Sequence, residues 1–120
     1  MYKINEQEYE CPVAVTLSIF NDKWKLSVIW SLIDSPKRFK ELDEIISGIT
    51  KKTLTVKLKE LEEKKLIIRE VFPEVPPKVV YSLSPTGERL KDTLDCMYKW
   101  GVSYIEEHGE IIEEYANCDS

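Results

Sequence analysis

Residues 49–66 read I-T-K-K-T-L-T-V-K-L-K-E-L-E-E-K-K-L, and the rest of the chain is organised around this stretch. Gly48 can end a preceding helix, and Thr50 can cap the next one by accepting a hydrogen bond from a free backbone N–H. The apolar residues recur at the spacing of one face of an α-helix, and they are Leu54, Leu58 and Leu61. The sequence therefore predicts an amphipathic helix over residues 49–65.

The face opposite the leucines is small, basic and rich in hydroxyl groups. Lysine donates hydrogen bonds to guanine O6 and N7, and threonine can hydrogen-bond to either type of base. The methyl groups of valine and threonine contact the methyl group of thymine. These properties suit a helix that enters the major groove of DNA. A lysine-rich outer face is also common on helices that are merely solvated, so both interpretations stay open for the helix alone. The face carries Lys52, Thr53, Val56 and Lys59, with Thr55 and Lys57 on its flanks.

Two segments rich in β-branched and aromatic residues follow the helix. Residues 66–72 (L-I-I-R-E-V-F) predict a strand, and residues 78–83 (K-V-V-Y-S-L) predict a returning strand. The intervening P-E-V-P-P cannot continue a ladder of hydrogen bonds and predicts a hairpin tip. A helical hairpin followed by such a ribbon is a winged helix-turn-helix, mainly α with a small antiparallel β-wing.

Three helices are predicted ahead of this unit. Pro12 suits the first turn of the first helix, because its missing N–H costs nothing there. Asp22 can cap the second helix, over residues 23–34, and the third covers residues 39–47. The turn at Gly48 then joins the third helix to the leucine-bearing helix, as in helix-turn-helix units.

A long helix is predicted after the wing, starting from the turn at residues 84–87. Its apolar stripe extends over about five turns and exceeds what a compact winged-helix core can cover. A second copy of the chain is the simplest partner, since two-fold dimers are the commonest oligomers. The stripe comprises Leu90, Leu94, Met97, Tyr98, Trp100, Gly101, Tyr104 and Ile105.

The 120 residues are predicted to form one domain that dimerises through its N- and C-terminal helices. Residues 1–10 are polar and are expected to form a loose arm, ahead of a winged-helix core at 11–83. The dimerisation helices are expected at 84–116, including a short final helix around Ile111, Ile112 and Tyr115, with a tail at 117–120.

The net charge is −5, but its distribution matters more for DNA binding than its sum. Residues 23–40 carry five basic side chains against one acid, and residues 49–65 carry six lysines against three glutamates. Residues 88–120 carry nine acids against three basic side chains. Because phosphate contacts are local, a basic face on an acidic protein can still bind a duplex, with the acidic tail pointing away.

Several other classes of protein are disfavoured by the sequence. Cys11, Cys96 and Cys118 are too few and too scattered for a disulfide framework, and with His108 they show no metal-binding spacing. No metal or cofactor is expected. An enzyme is not expected either, because His108 has no evident nucleophile or paired carboxylate and no Gly-rich phosphate loop exists. No run approaches the ~18 apolar residues of a membrane span, and no signal peptide is evident, so a cytoplasmic protein is expected.

A set of ordered short motifs spans residues 11–100. On these motifs the chain resembles the HxlR-type winged-helix transcriptional regulators, a bacterial and archaeal family related in fold to the MarR group. Departures from the family pattern are Asp22 and Lys65, each where glycine is usual, and Val80 and Ser84 in the wing. The matching residues are Cys11-Pro12-Val13, Lys23-Trp24, Arg38-Phe39, Glu41-Leu42, Ile49, Lys52, Leu54, Leu58, Leu61, Glu62, Leu66-Ile67, Arg69, Pro76-Pro77, Val79, Tyr81, Leu83, Gly87, Leu90 and Trp100.

The resemblance implies a homodimeric repressor or activator that binds double-stranded operator DNA. Each leucine-backed helix would enter a major groove, and each wing would reach the adjacent minor groove or backbone. The two-fold axis would place two half-sites roughly one or two helical turns apart. Base contact is expected from Lys52, Thr53 and Val56, with Thr55 beside them. Phosphate contact is expected from Lys37, Arg38, Lys51, Lys57, Lys59 and Lys78.

Cys11 is a candidate sensor. Family members that sense oxidants, quinones or aldehydes use a cysteine at this position, so the resemblance implies the same role here. A helix N-terminus also favours the thiolate. The alternative is that Cys11 is a small buried apolar residue. Cys96, near the stripe of the long helix, is expected to be structural, and Cys118 to lie in the tail.

Two other functions stay open. A winged helix can serve as a protein-interaction module without binding DNA, because that fold also occurs in assembly roles. A regulator could also be switched by a small apolar ligand at the dimer seam, an inducer that the sequence does not identify. The residues that could line such a pocket are Trp100, Tyr98, Met97 and Phe20, although aromatic stripes at helical spacing usually pack in a core.

Overall fold

The computed structural model describes residues 1–110 and residue 112, and it contains the predicted winged helix-turn-helix. The predicted short helix near Ile111 and Tyr115, the tail and Cys118 lie outside the described residues. The elements are β1 (Tyr2–Ile4), β2 (Gln7–Tyr9), α1 (Pro12–Phe20), α2 (Lys23–Leu32), α3 (Phe39–Ile45), α4 (Lys51–Glu63), β3 (Ile67–Phe72), β4 (Lys78–Leu83), α5 (Pro85–Glu88) and α6 (Leu90–His108).

The core is assembled by α2, α3 and α4 and closed by the base of the wing. The three leucines of α4 are almost fully buried, as their spacing predicted. Burying a leucine side chain contributes about 2 kcal/mol, so this apolar face holds α4 firmly to the domain. The buried apolar residues are Phe20, Val28, Ile29, Leu32, Leu42, Ile46, Leu54, Leu58, Leu61, Leu66, Ile67, Leu83 and Leu94.

Local signals set the ends of α4. The side chain of Thr50 accepts from the backbone N–H of Thr53, and Gly48 has a φ of +84°, which favours glycine. At the other end Lys65 has a φ of +63°, and its N–H donates to the Glu62 carbonyl while that of Leu66 donates to the Leu61 carbonyl. These two bonds form a Schellman motif, with lysine in the position that glycine usually occupies.

The wing has the predicted register and one additional partner. β3 and β4 pair antiparallel from Ile67 opposite Leu83 to Phe72 opposite Lys78, and the tip covers residues 73–77. Lys37 forms an isolated β-bridge to β4, because its N–H donates to the Tyr81 carbonyl at 2.9 Å and its carbonyl accepts from the Tyr81 N–H at 2.8 Å. The sequence did not predict this bridge, since its partners are far apart along the chain.

The N-terminal arm is ordered, so the prediction of a loose arm is wrong. β1 and β2 form an antiparallel hairpin in which Tyr2 lies opposite Tyr9 and Ile4 opposite Gln7. Asn5 begins the two-residue turn with a φ of +56°, a conformation that asparagine tolerates better than most residues. The physical reason for the error is that turn chemistry, rather than apolar content, defines this hairpin.

Four predicted helices differ from those observed, and one of them is α4, which covers Lys51–Glu63 rather than residues 49–65. α2 ends at Leu32 rather than residue 34, and α3 ends at Ile45 rather than residue 47. The long helix after the wing is divided, because Ser84 caps the short α5 by accepting from the Gly87 N–H, and α6 starts only at Leu90. Of the nineteen residues of α6, Leu94 alone is buried.

Candidate nucleic-acid interface

The outward ridge of α4 consists of Lys52, Val56 and Lys59, and it faces solvent. Lys52 and Lys59 are exposed, and Val56 is 45% exposed despite its apolar side chain. The buried leucines lie on the other side of the helix. The ridge is therefore free to contact a partner, and an α-helix of this width fits the major groove of DNA.

The two threonines of α4 that are predicted to lie near the bases are exposed to different degrees. Thr53 is half-buried, and its hydroxyl accepts from the Thr50 hydroxyl at 2.9 Å within the N-terminal cap. Thr55 is exposed, and its hydroxyl donates to the Lys51 carbonyl at 2.8 Å. Each hydroxyl thus has a local partner within the helix or its cap.

The basic side chains fall into two groups. Lys51, Lys52 and Lys59 are exposed and form no ion pair with any described residue, and Arg38 is exposed at the start of α3. Lys78, where the wing returns, holds its ammonium 5.4 Å from the centre of the Phe72 ring, a cation–π contact.

Lys37 and Lys57 are held by the protein itself. Lys37 Nζ donates to the Ser35 hydroxyl at 2.6 Å and to Asp34 Oδ1 at 3.3 Å, and its side chain is only 12% exposed. The hydrogen bond from Lys37 lowers the pKa of the Asp34 carboxyl. Lys57 Nζ donates to Asp22 Oδ2 at 2.7 Å. Both lysines, which the sequence predicts to contact phosphate, thus already have hydrogen-bond partners within the protein.

Asp22 is engaged at both oxygens. Oδ1 accepts from the backbone N–H groups of Trp24 and Lys25, as predicted for a cap, while Oδ2 accepts from Lys57. Burial alone would raise the pKa of the Asp22 carboxyl, but these hydrogen bonds together hold the pKa below its ordinary value. The same hydrogen bond to Asp22 raises the pKa of the Lys57 ammonium. Both groups are thus charged near neutral pH.

A second ion pair, which the sequence did not predict, lies beside this one. Lys25 Nζ lies 3.0 Å from Glu60 Oε2, and the Lys25 side chain is only 11% exposed. A lysine in α2 and a glutamate in α4, 35 positions later, carry no local signal of pairing. Only the packing of the two helices brings them together.

Cys11 is exposed and occupies the N-cap position of α1, so the interpretation of Cys11 as a small buried residue is wrong. Its backbone is extended, and its side chain makes no capping hydrogen bond. Cys96 is also exposed on α6, although the sequence indicated a structural position near the apolar stripe. Leu94 faces inward instead, two residues earlier.

The four residues considered for a ligand pocket do not lie together. Phe20 is in the core, and Trp100 is 68% exposed. Met97 and Tyr98 instead line an open groove of about 820 Å³ between α2, α3 and α6, where the Tyr98 and Trp30 rings stack at 6.3 Å. The four residues therefore form no common pocket within the described part of a single chain, and a pocket at a dimer seam stays a prediction.

Residues 1–110 and 112 contain no cluster of three potential metal ligands. Within the same residues, every helix is too short or too polar to cross a membrane.

Comparisons with known proteins assign this chain to a family. The model of the HxlR-like helix-turn-helix family matches residues 19–109. The HTH-type transcriptional regulator YdeP of Bacillus subtilis is 45% identical over 94 residues, which cover 78% of this chain and 73% of that protein.

Two solved structures share the fold. The reduced form of the transcriptional regulator YodB from B. subtilis is 37% identical, with a TM-score of 0.74 over 82% of this chain and 98% of that one. The redox regulator HypR in its reduced form is 40% identical, with a TM-score of 0.76 over 81% of this chain and 96% of that one. The chain therefore belongs to the HxlR-like helix-turn-helix family, and it is a DNA-binding transcriptional regulator.

Proposed function

We propose that this regulator acts as a homodimer on an operator with two half-sites and reads each half-site with the outward ridge of α4. The observation that carries this proposal is the exposure of Lys52, Val56 and Lys59 on a helix whose other face is anchored by buried leucines. Lys52, Thr53 and Val56, with Thr55 beside them, are assigned to base contact. Arg38, Lys51, Lys59 and Lys78 are assigned to phosphate contact.

A second copy of the chain is the partner that the exposed apolar side chains favour. On α1, Val13 is 65% and Leu17 is 55% exposed, and on α6, Trp100 is 68% and Tyr104 is 53% exposed. Large apolar side chains clustered on two helices indicate an interaction surface. A two-fold dimer through α1 and α6 would cover them and place two copies of α4 on one face of the duplex.

Lys52 and Lys78 are expected to contribute differently to binding. Lys52→Ala should weaken operator binding about tenfold and relax the preference at one base pair, because a good base contact contributes about 1–3 kcal/mol of discrimination. Lys78→Ala should weaken binding to all sequences alike and reduce the slope of log affinity against log salt concentration by about 1.8, because the dimer loses two phosphate contacts worth about 0.9 each.

Gel-shift titrations on operator and random duplexes at several salt concentrations would measure both effects. Footprinting on the promoter of the chain's own gene would supply the operator. Equal losses on operator and random DNA for both variants would contradict the assignment of Lys52 to base contact.

We further propose that Cys11 makes this regulator responsive to oxidants or electrophiles. Its support is the exposure of the thiol at the start of α1, a helix assigned to the dimer surface. Among the related structures, HypR is named a redox regulator and YodB has been crystallised after diamide treatment. A modified Cys11 side chain would change the packing of α1 and thereby the spacing of the two copies of α4.

Diamide, which oxidises two thiols to a disulfide, is expected to change operator affinity about tenfold in the unmodified protein, within the usual range of allosteric coupling. Cys11→Ser should abolish the change, and Cys96→Ser shows whether the other described cysteine supplies the second thiol. Gel shifts with and without diamide would measure the change in operator affinity, and dithiothreitol added after diamide should reverse it. A full response in Cys11→Ser would refute the sensor role.

A further inference from the structure

Two ion pairs join α2 to α4, one helical turn apart. Lys57 Nζ lies 2.7 Å from Asp22 Oδ2, and Lys25 Nζ lies 3.0 Å from Glu60 Oε2. Lys57 Nζ is also 3.8 Å from the same Glu60 oxygen, so the four charges form one chain, which we call the charged clasp. Three of its side chains are at most 20% exposed, and Glu60 is 37% exposed.

We propose that the charged clasp positions α4 for DNA, with Asp22 and Lys57 as positioning residues, and that Lys57 makes no phosphate contact. The inference rests on the proposed reading role of α4. Apolar packing by the leucines is non-directional, so it holds α4 to the core without defining its rotation. The hydrogen-bonded pair of Lys57 and Asp22 has a preferred distance and angle, and the ion pair of Lys25 and Glu60 one turn away further restricts that rotation.

Asp22 makes this contact directional, because one carboxylate serves both helices. Its Oδ1 accepts from the Trp24 and Lys25 N–H groups at 3.0 and 3.2 Å, which fixes it to the start of α2. Its Oδ2 is then presented to Lys57 in a set direction. A change in the angle of α4 would break this bond, and the same change would displace Lys52 and Val56 from the bases.

The charged clasp also explains why Lys57, although it lies on α4, adds no affinity for random DNA. Non-specific binding depends on lysines that replace the counterions of phosphates. The Lys57 ammonium already has a carboxylate partner and a side chain only 20% exposed. Lys59, on the outward ridge, is exposed and makes no ion pair with any described residue.

The double variant Asp22→Asn/Lys57→Met tests the proposal without changing the net charge. Asparagine caps a helix about as well as aspartate, so α2 keeps its cap. We expect operator affinity to fall about fivefold, typical of a lost coupling between contacting residues. Affinity for random duplex and the salt slope should stay unchanged. Lys57→Arg, which retains the ion pair, should keep operator affinity within about twofold.

The matched control is Lys59→Met/Glu63→Gln, which removes the same two charges from exposed positions of α4. It should reduce the salt slope by about 1.8, about 0.9 from each protomer, and weaken the binding of random and operator DNA together. A similar fall in slope for Asp22→Asn/Lys57→Met would show that Lys57 contacts phosphate and would overturn the proposal. Unchanged operator affinity in that variant would overturn the positioning role.

Circular dichroism at the assay temperature would show that each variant is folded. A purely structural loss would lower the folded fraction and weaken operator and random binding equally, which would also count against positioning. If both the control and Lys52→Ala leave DNA binding intact, α4 is not the reading helix, and the proposed function fails rather than the clasp alone.

Discussion

Gly87→Ala is expected to lower the free energy of unfolding by about 3 kcal/mol, because overpacking against rigid backbone is among the most destabilising single changes. A Cβ at position 87 would overlap the carbonyl oxygen of Leu66 and lie 3.3 Å from Leu83 Cδ2. That carbonyl accepts from the Ser84 N–H at 3.0 Å, so the carbonyl cannot turn away without losing a bond. The start of the wing and α5 would have to separate.

Urea denaturation followed by circular dichroism, at one fixed protein concentration, would measure the effect, because association shifts apparent stability. Thr86→Ala is the control, since Thr86 is the exposed neighbour in the same helix and should change stability by less than about 0.5 kcal/mol. A Gly87→Ala protein with an unchanged midpoint would mean that α5 can move away from Leu66, and the close packing at this corner would be refuted.

Tyr104→Glu is expected to convert the proposed dimer to a monomer and to weaken operator binding about a hundredfold. Linking two half-site contacts raises overall affinity by about 10²–10⁴, and a monomer loses that gain. Tyr104 is 53% exposed and stacks on Trp100 at 5.1 Å, so the change adds a charge to the centre of the apolar surface of α6. The domain core should be unaffected.

Analytical ultracentrifugation and gel shifts on full and half operators would follow the two effects. Ser103→Glu supplies the control, because it places the same charge on the adjacent exposed residue of α6, on the polar side of the helix. It should leave the dimer and operator affinity intact. If Tyr104→Glu sediments as a dimer, the apolar surface of α6 serves another purpose and the proposed dimer must use a different face.

Features encoded over a few neighbouring residues were predictable. The leucine spacing of α4, its cap at Thr50 and the strand–proline–strand order of the wing all depend on local rules, and the structure has them where expected. The N-terminal hairpin was equally local but was missed, because its signal is the turn at Asn5 rather than an apolar alternation. The break between α5 and α6 was missed because the apolar stripe begins only at Leu90 and carries no signal over residues 85–89.

The sequence by itself determined the winged helix-turn-helix and which side of α4 faces outward, since periodicity and caps act within one element. Which lysines are free was decided only by tertiary structure. Lys57 and Lys59 are two residues apart and chemically identical, yet Asp22 holds one and the other is exposed. The physical reason is that an ion pair depends on the distance between side chains, and the packing of α2 on α4 sets that distance for residues 35 positions apart.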